Sequence, residues 1–327
     1  MTRIAVLQPA YLGDVVFASP LTRAIAKAWP GCEIAFVARP PADDLARCLP
    51  GVRTVLAYDK RGRDRGLRGI ERLATELRRF APEALVSFHG SLRTGLLAAR
   101  SGIRRRIGPA GEPGSVFFHE RVRLGASFPG RAVALARALA LEADERLCLE
   151  LPEDWRERGR ELAGGGGPLA LVPGSEWETK RWPIERAAAF AHALLRAGIE
   201  PILLGSPAER ALCAEVARRA GPGCRDVSGN RVAESLGILA SCRGAVGGDS
   251  GLVHAARALG IPTVMLFGPT DPARHAWREG DAQVTLGLSC SPCSDHGSRS
   301  CPLGHHRCLS DLSPERVLGE LSKLGVA

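Results

Sequence analysis

Short uninterrupted apolar runs alternate with longer stretches in which apolar residues recur every three or four positions. The pattern occurs twice along the chain. Runs at residues 3–7, 33–38, 52–58 and 84–88 suit strands buried on both faces. Between them, residues 15–29 and 70–80 carry helical spacing, the first stopped by Pro30 and Gly31. Residues 59–69 read as a basic, glycine-broken loop. The second series predicts strands at 169–172 and 200–204, helices at 184–197 and 209–219, and a further helix after Glu234. It ends in an apolar run into Gly247 and Gly248, a helix over 250–259 closed by Gly260 and Pro262, and a strand at 263–267. Strands alternating with helices predict parallel sheets covered on both faces.

The clearest break is the run from Leu162 to Pro168, which holds four consecutive glycines. At 327 residues the chain exceeds the usual single domain. The expectation is therefore two doubly wound α/β domains, residues 1–161 and 162–327, hinged near 162–168. Ligands of such sheets sit outside the carboxyl ends of the strands, so loops of both halves are expected to face one interdomain cleft.

Charge sharpens this picture. Residues 1–161 carry 27 Lys and Arg against 19 Asp and Glu, whereas residues 162–327 carry 17 against 16. The first half is thus the surface for an anionic partner, unless its basic face is simply solvated. The start of the chain runs directly into a strand, with neither signal-peptide architecture nor a spanning apolar segment. A cytoplasmic protein is expected. Six of the ten cysteines lie scattered among apolar segments and read as buried small hydrophobes.

Candidate chemistry gathers at the ends of predicted strands. The turn after residue 248 would present unpaired N–H groups at a positive helix end, which suits a phosphate. Glycines alone would indicate close packing. Asp249 and His254, the latter four residues beyond Ser250 on the same helical face, favour a site. Lys180 lies on a glycine-led loop after a strand and could neutralise a phosphate without a metal. Glu209 could accept ribose hydroxyls or stabilise a helix start. Asp14, between the first strand and its helix, is either a helix cap or a base for a sugar hydroxyl. No G-x-S-x-G turn, phosphate-binding Walker loop or G-x-G-x-x-G follows a predicted strand, which weakens hydrolase, kinase and dehydrogenase readings.

Four stretches carry a resemblance: Leu12-Gly13-Asp14-Val15 with Ser19-Pro20, Lys180-Arg181-Trp182-Pro183, Gly248-Asp249-Ser250-Gly251-Leu252-Val253-His254, and Leu266-Phe267-Gly268-Pro269-Thr270-Asp271-Pro272. The chain resembles the ADP-heptose:lipopolysaccharide heptosyltransferases of glycosyltransferase family 9, over essentially its whole length. The cysteine-rich segment is more similar to their type II than to type I. The resemblance implies the GT-B architecture of two Rossmann-like domains, with the acceptor on the N-terminal half and the nucleotide-sugar on the C-terminal half. It implies Asp14 as general base and Lys180 as the cation stabilising departing ADP, in a metal-independent, inverting transfer of heptose to the inner core.

On that resemblance the donor side comprises Ser175, Thr179, Lys180, Glu209, Asp249, Ser250, Gly251, Leu252 and His254, with Asp249 assigned to sugar hydroxyls or capping. The acceptor side comprises Lys60, Arg61, Arg63 and Arg93, with the Arg104–Arg106 cluster as a further candidate. The partners expected are ADP-heptose, a phosphorylated inner-core acceptor and the inner face of the inner membrane, but no nucleic acid. A monomer is expected. Cys290, Cys293, Cys301 and Cys308 read as packed, reduced thiols, with a structural zinc site as the alternative. A different nucleotide-sugar or acceptor, or a non-catalytic nucleotide-sugar-binding protein of the same fold, are the competing functions.

Overall fold

The computed structural model describes residues 1–326. The chain divides into two compact units, Met1–Glu150 with Arg274–Ala276, and Leu151–Ala273 with the chain from Trp277 on.

The first unit is built on six parallel strands: β1 (Arg3–Leu7), β2 (Glu33–Ala38), β3 (Val52–Ala57), β4 (Ala84–Ser87), β5 (Arg105–Pro109) and β6 (Glu120–Val122). Their order is β3-β2-β1-β4-β5-β6, and Ile4 of β1 pairs with Ile34 on one side and Ala84 on the other. Helices α1 (Leu12–Val16), α2 (Ser19–Ala28), α3 (Ala42–Ala46), α4 (Gly66–Phe80), α5 (Leu92–Arg100) and α6 (Phe128–Ala138) complete it. The apolar runs of β1, β2 and β4 are fully buried past their first residues, as expected where helices cover both faces. Helix α4 buries Ile70, Leu73, Ala74 and Leu77 and turns its arginines and glutamates outward.

The second unit repeats the plan with β7 (Leu169–Val172), β8 (Pro201–Leu203), β9 (Arg225–Asp226), β10 (Gly244–Gly248), β11 (Thr263–Leu266) and β12 (Asp281–Val284). These are again parallel, in the order β12-β11-β10-β7-β8-β9. The helices are α7 (Glu153–Ala163), α8 (Ile184–Arg196), α9 (Arg210–Ala220), α10 (Val232–Ala240), α11 (Gly251–Ala258), α12 (Arg307–Ser310) and α13 (Pro314–Lys323). In each sheet the strand order reverses once, between β1 and β4 and between β10 and β7. Those two reversals open the crevices in which doubly wound sheets take ligands.

Three sequence expectations are corrected. The helix expected over 15–29 is two helices, because Pro20 sits in the first turn of α2, where its missing N–H costs nothing. The restart moves Asp14 into the first turn of α1. The basic loop after β3 is shorter than expected, since α4 begins at Gly66. The boundary between units falls at 150/151 rather than 161/162. The cause is α7, which crosses α10 so closely that a Cβ on Gly159 would stand 2.0 Å from the Gly237 carbonyl carbon. Only glycine permits that approach, and α7 therefore belongs to the second unit. The four glycines join α7 to β7 inside that unit.

Candidate functional site

At the β7/β10 reversal, the loop after β7 meets the turn after β10. A Cβ on Gly248 would lie 2.2 Å from the Lys180 carbonyl oxygen, so glycine at the end of β10 lets the two backbones touch. The Lys180 ammonium donates to Asp249 Oδ2 at 2.7 Å, with the two side chains 12% and 8% exposed. His254 Nε2 lies 2.8 Å from Asp249 Oδ1, and Thr270 Oγ1 donates to Oδ2 at 2.9 Å. A carboxylate buried this deeply is tolerated because three neighbours share it. Burial depresses the His254 pKa, helped by Arg257 and Lys180, against the opposing pull of Asp249. The imidazole is therefore neutral and donates through Nε2.

This geometry revises several donor-side expectations. Asp249 bonds to Lys180, His254 and Thr270, and the cap position of α11 is Ser250. His254 is buried against Asp249. Thr179 spends its hydroxyl on the Ser298 carbonyl, 2.9 Å away, and accepts the Ser298 amide. It anchors a loop rather than a ligand. Glu209 accepts the Ser206 amide and hydroxyl at 2.7 and 2.8 Å, the helix-start role among its two readings, while its other oxygen overlies Gly174 at the end of β7. Ser175 is buried, and its carbonyl accepts from Arg181. Ser250 stands at the N-terminus of α11 with its Oγ buried and without a partner. Gly251 and Leu252 follow in the first turn.

At the β1/β4 reversal of the first unit, Asp14 Oδ2 accepts the Tyr11 amide at 3.1 Å, and the Asp14 carbonyl accepts Gln8 Nε2 at 3.1 Å. Facing it is Lys60. Burial lowers the Lys60 pKa, reinforced by the positive charges of Arg39, Arg61 and Arg93 and opposed by Asp14. Arg61 and Arg93, two other expected acceptor-side cations, thus lie close enough to act on the charge of Lys60. Arg39, directly after β2, was missed although it carries the same positional signal as Arg93.

The fourth cation is a correction. Arg63 folds back onto Asp64 and the Ala57 carbonyl. Asp64, fully buried, organises this loop by accepting the Asp59 amide at 2.8 Å and Arg72 Nε at 2.7 Å. Burial alone would raise its pKa, but these hydrogen bonds together with Arg63 hold it below the usual range. Its stabilising contribution is complete above the ordinary carboxylate pKa and is lost as acid protonates it. Asp64→Ala is expected to cost about 3–5 kcal/mol, because it leaves the Arg72 guanidinium without its buried partner. Urea unfolding at neutral pH measures this, and a loss under about 1 kcal/mol would deny Asp64 that role.

Arg105 and Arg106 are likewise corrected. Arg105 pairs with Glu120 and the Ala138 carbonyl, and Arg106 binds the Phe117 and Ile103 carbonyls, so both hold the edge of the sheet together. The cysteine segment packs on the Lys180 loop through Ser298 and through His306 Nε2, 2.8 Å from the Thr179 carbonyl. All four of its cysteines are free thiols. Backbone amides, chiefly that of His306, lower the Cys301 pKa, whereas burial first and the other three sulfurs next push Cys308 up to about 11. Among the described residues, the His, Cys, Asp and Glu side chains gathered closely enough to share a metal ion are Asp249, His254 and His275, whose ligand atoms lie within 4.8 Å of one another, rather than these four cysteines. A tetrahedral thiolate cage spaces its sulfurs about 3.8 Å apart, so zinc would have to draw the loop inward.

The comparisons with known proteins agree with this arrangement. The chain is 25% identical over 363 residues to lipopolysaccharide heptosyltransferase 2 of Escherichia coli K12, covering 98% of each. Its fold matches the structure of E. coli ADP-heptose lps heptosyltransferase II with a TM-score of 0.82, at 23% identity and 98% coverage of both chains. It also matches E. coli heptosyltransferase WaaC with ADP-2-deoxy-2-fluoro heptose, with a TM-score of 0.73 at 18% identity, over 98% of this chain and 99% of that one. The family model for glycosyltransferase family 9 (heptosyltransferase) matches residues 70–303. With two doubly wound parallel sheets and a charged group at each strand-order reversal, the chain belongs to glycosyltransferase family 9, the heptosyltransferases.

Proposed function

We propose that the protein transfers heptose from ADP-L-glycero-D-manno-heptose to an acidic sugar of the lipopolysaccharide inner core, with inversion and without a catalytic metal. The observation that carries this reading is the Lys180–Asp249 pair at the β7/β10 reversal, beside the unpartnered Ser250 hydroxyl. An ammonium has three donors. One holds Asp249, leaving two that can reach a diphosphate, and the α11 N-terminus adds its positive end. The related WaaC structure, solved with an ADP-heptose analogue, supports this choice of donor.

In this reading Asp14 removes the proton from an acceptor hydroxyl. The resulting oxygen bonds to the anomeric carbon from the face opposite the nucleotide, and the carbon–oxygen bond to the β-phosphate breaks. Its electron pair leaves on ADP, where Lys180 and the helix end meet the developing charge. The transition state carries oxocarbenium character, as in glycoside chemistry. Lys60, Arg61 and Arg93, joined by Arg39, suit the carboxylates and phosphates of such an acceptor. No helix among the described residues is long and apolar enough to cross a membrane. Basic loops and the lipid-linked acceptor would hold the monomer at the inner face of the membrane.

The test is transfer to truncated core acceptors from a panel of ADP-, GDP- and UDP-sugars, with and without a chelator. ADP-heptose is expected to be consumed selectively, with a rate that chelation changes by less than about twofold. Selective use of another nucleotide would replace the donor assignment, and abolition by chelator would restore a metal to the mechanism.

A further inference from the structure

The first unit holds buried polar atoms that its own structure leaves unused. Gln8 Oε1 and His89 Nε2 are both buried without a hydrogen-bond partner, which native interiors seldom tolerate unless a ligand or water satisfies them. Both follow the carboxyl ends of strands. Phe88 donates its amide to the Leu7 carbonyl at 3.1 Å, so Gln8 and His89 leave β1 and β4 side by side at the reversal of strand order. Tyr58 and Lys60 leave β3, and Arg93 Nη1 lies 3.3 Å from the Lys60 carbonyl. Lys60 is the charged neighbour of both Asp14 and His89.

We propose that His89, with Gln8 beside it, recognises the acid group of the acceptor: as a carboxylate or a tetrahedral oxyanion arrives under Lys60, Nε2 takes a proton from solvent and donates it to the anion. The inference rests on the acceptor side assigned above. The charged groups around His89 are Lys60 from the loop after β3 and Arg131 from α6. Glu112, from the loop after β5, turns its carboxylate to the Gly90 amide at 2.8 Å. Ser87, at the end of β4, donates to the His89 carbonyl at 2.8 Å. Burial first, then Lys60 and Arg131, press the His89 pKa down to about 4. The empty site therefore keeps a neutral imidazole. An anion cancels the two cations and supplies the missing partner, and both changes favour the imidazolium. Binding and proton uptake become one event, so an acidic acceptor is distinguished from a neutral sugar.

Calorimetric titration of the full chain near pH 6 tests this, using two buffers of different ionisation enthalpy. The probes are sulfate, for a phosphate-like group, and the sugar acid Kdo, for a carboxylate. Neither titrates in this range. The wild type is expected to take up about one proton per anion, with affinity rising up to about tenfold per unit fall in pH between 7 and 5. The probe that shows the linkage identifies the acid group. His89→Gln, which can still hydrogen-bond but cannot carry charge, is expected to lose both uptake and pH slope. Retention of either would overturn the proposal, as would failure of both probes to bind the wild type. Lys60→Ala separates the two levels: unchanged anion affinity there rejects the acceptor side itself. Loss of affinity in Lys60→Ala alongside normal uptake in His89→Gln rejects His89 alone. Should His89→Gln not fold, the wild-type His89 imidazole is followed by NMR; its midpoint must rise by about three pH units when the probe binds, enough to protonate it near pH 6.

Discussion

Asp14→Asn is expected to lower turnover by about 10³-fold, within the range for loss of a general base, while donor affinity stays within about twofold. The amide is nearly isosteric and can still accept the Tyr11 N–H that Asp14 Oδ2 accepts at 3.1 Å, so α1 should keep its start. What the variant loses is the capacity to hold a proton. The donor-side groups, Lys180 and Ser250 among them, all belong to the second unit, which is why nucleotide binding is expected to survive. A cap without chemical duty behaves differently: Asp14→Ala would then cost about 1 kcal/mol of stability and leave the rate intact. Steady-state transfer measured beside equilibrium donor binding separates these outcomes. A normal rate in Asp14→Asn removes the base from the mechanism.

Strands were legible because their apolar runs are continuous, and central parallel strands such as β1 and β4 must bury both faces. Lys180 was legible as a cation on a loop leaving a strand. Strand order was not legible, since periodicity carries no information on which strands become neighbours. The Lys180–Asp249 bond joins residues 69 apart and follows only once β10 lies beside β7. For the same reason Asp249 was read as a contact for sugar hydroxyls or as a cap, with no sign of its bond to Lys180. Arg61 and Arg63 look alike in sequence, yet one faces Lys60 and the other folds against Asp64. The difference lies in a fully buried aspartate whose burial depends on α4. Arg105 and Arg106 misled in the opposite direction, because charges next to a strand edge were spent on carbonyls and Glu120.

Lys180→Ala is expected to weaken donor binding by about 10- to 100-fold, the worth of one charge-assisted hydrogen bond, and to slow transfer by a further 10²–10³-fold. It also strips Asp249 of its cation. A buried carboxylate deprived of one partner costs about 3–5 kcal/mol, but His254 stands 2.8 Å away and offers a remedy. In the wild type, burial above all, with Arg257 and Lys180, keeps that imidazole neutral. Without Lys180, one of the charges that lower the His254 pKa is gone, and that pKa rises. A His254 pKa higher in the variant than in the wild type lets the variant take up its proton at higher pH, so its stability gains on that of the wild type as pH falls. The stability deficit of Lys180→Ala relative to wild type should therefore be smaller near pH 5.5 than near pH 8. Urea unfolding at both pH values checks this. A deficit independent of pH would mean that His254 does not take over the charge. If donor affinity also stayed normal, Lys180 would be a structural partner of Asp249 and nothing more.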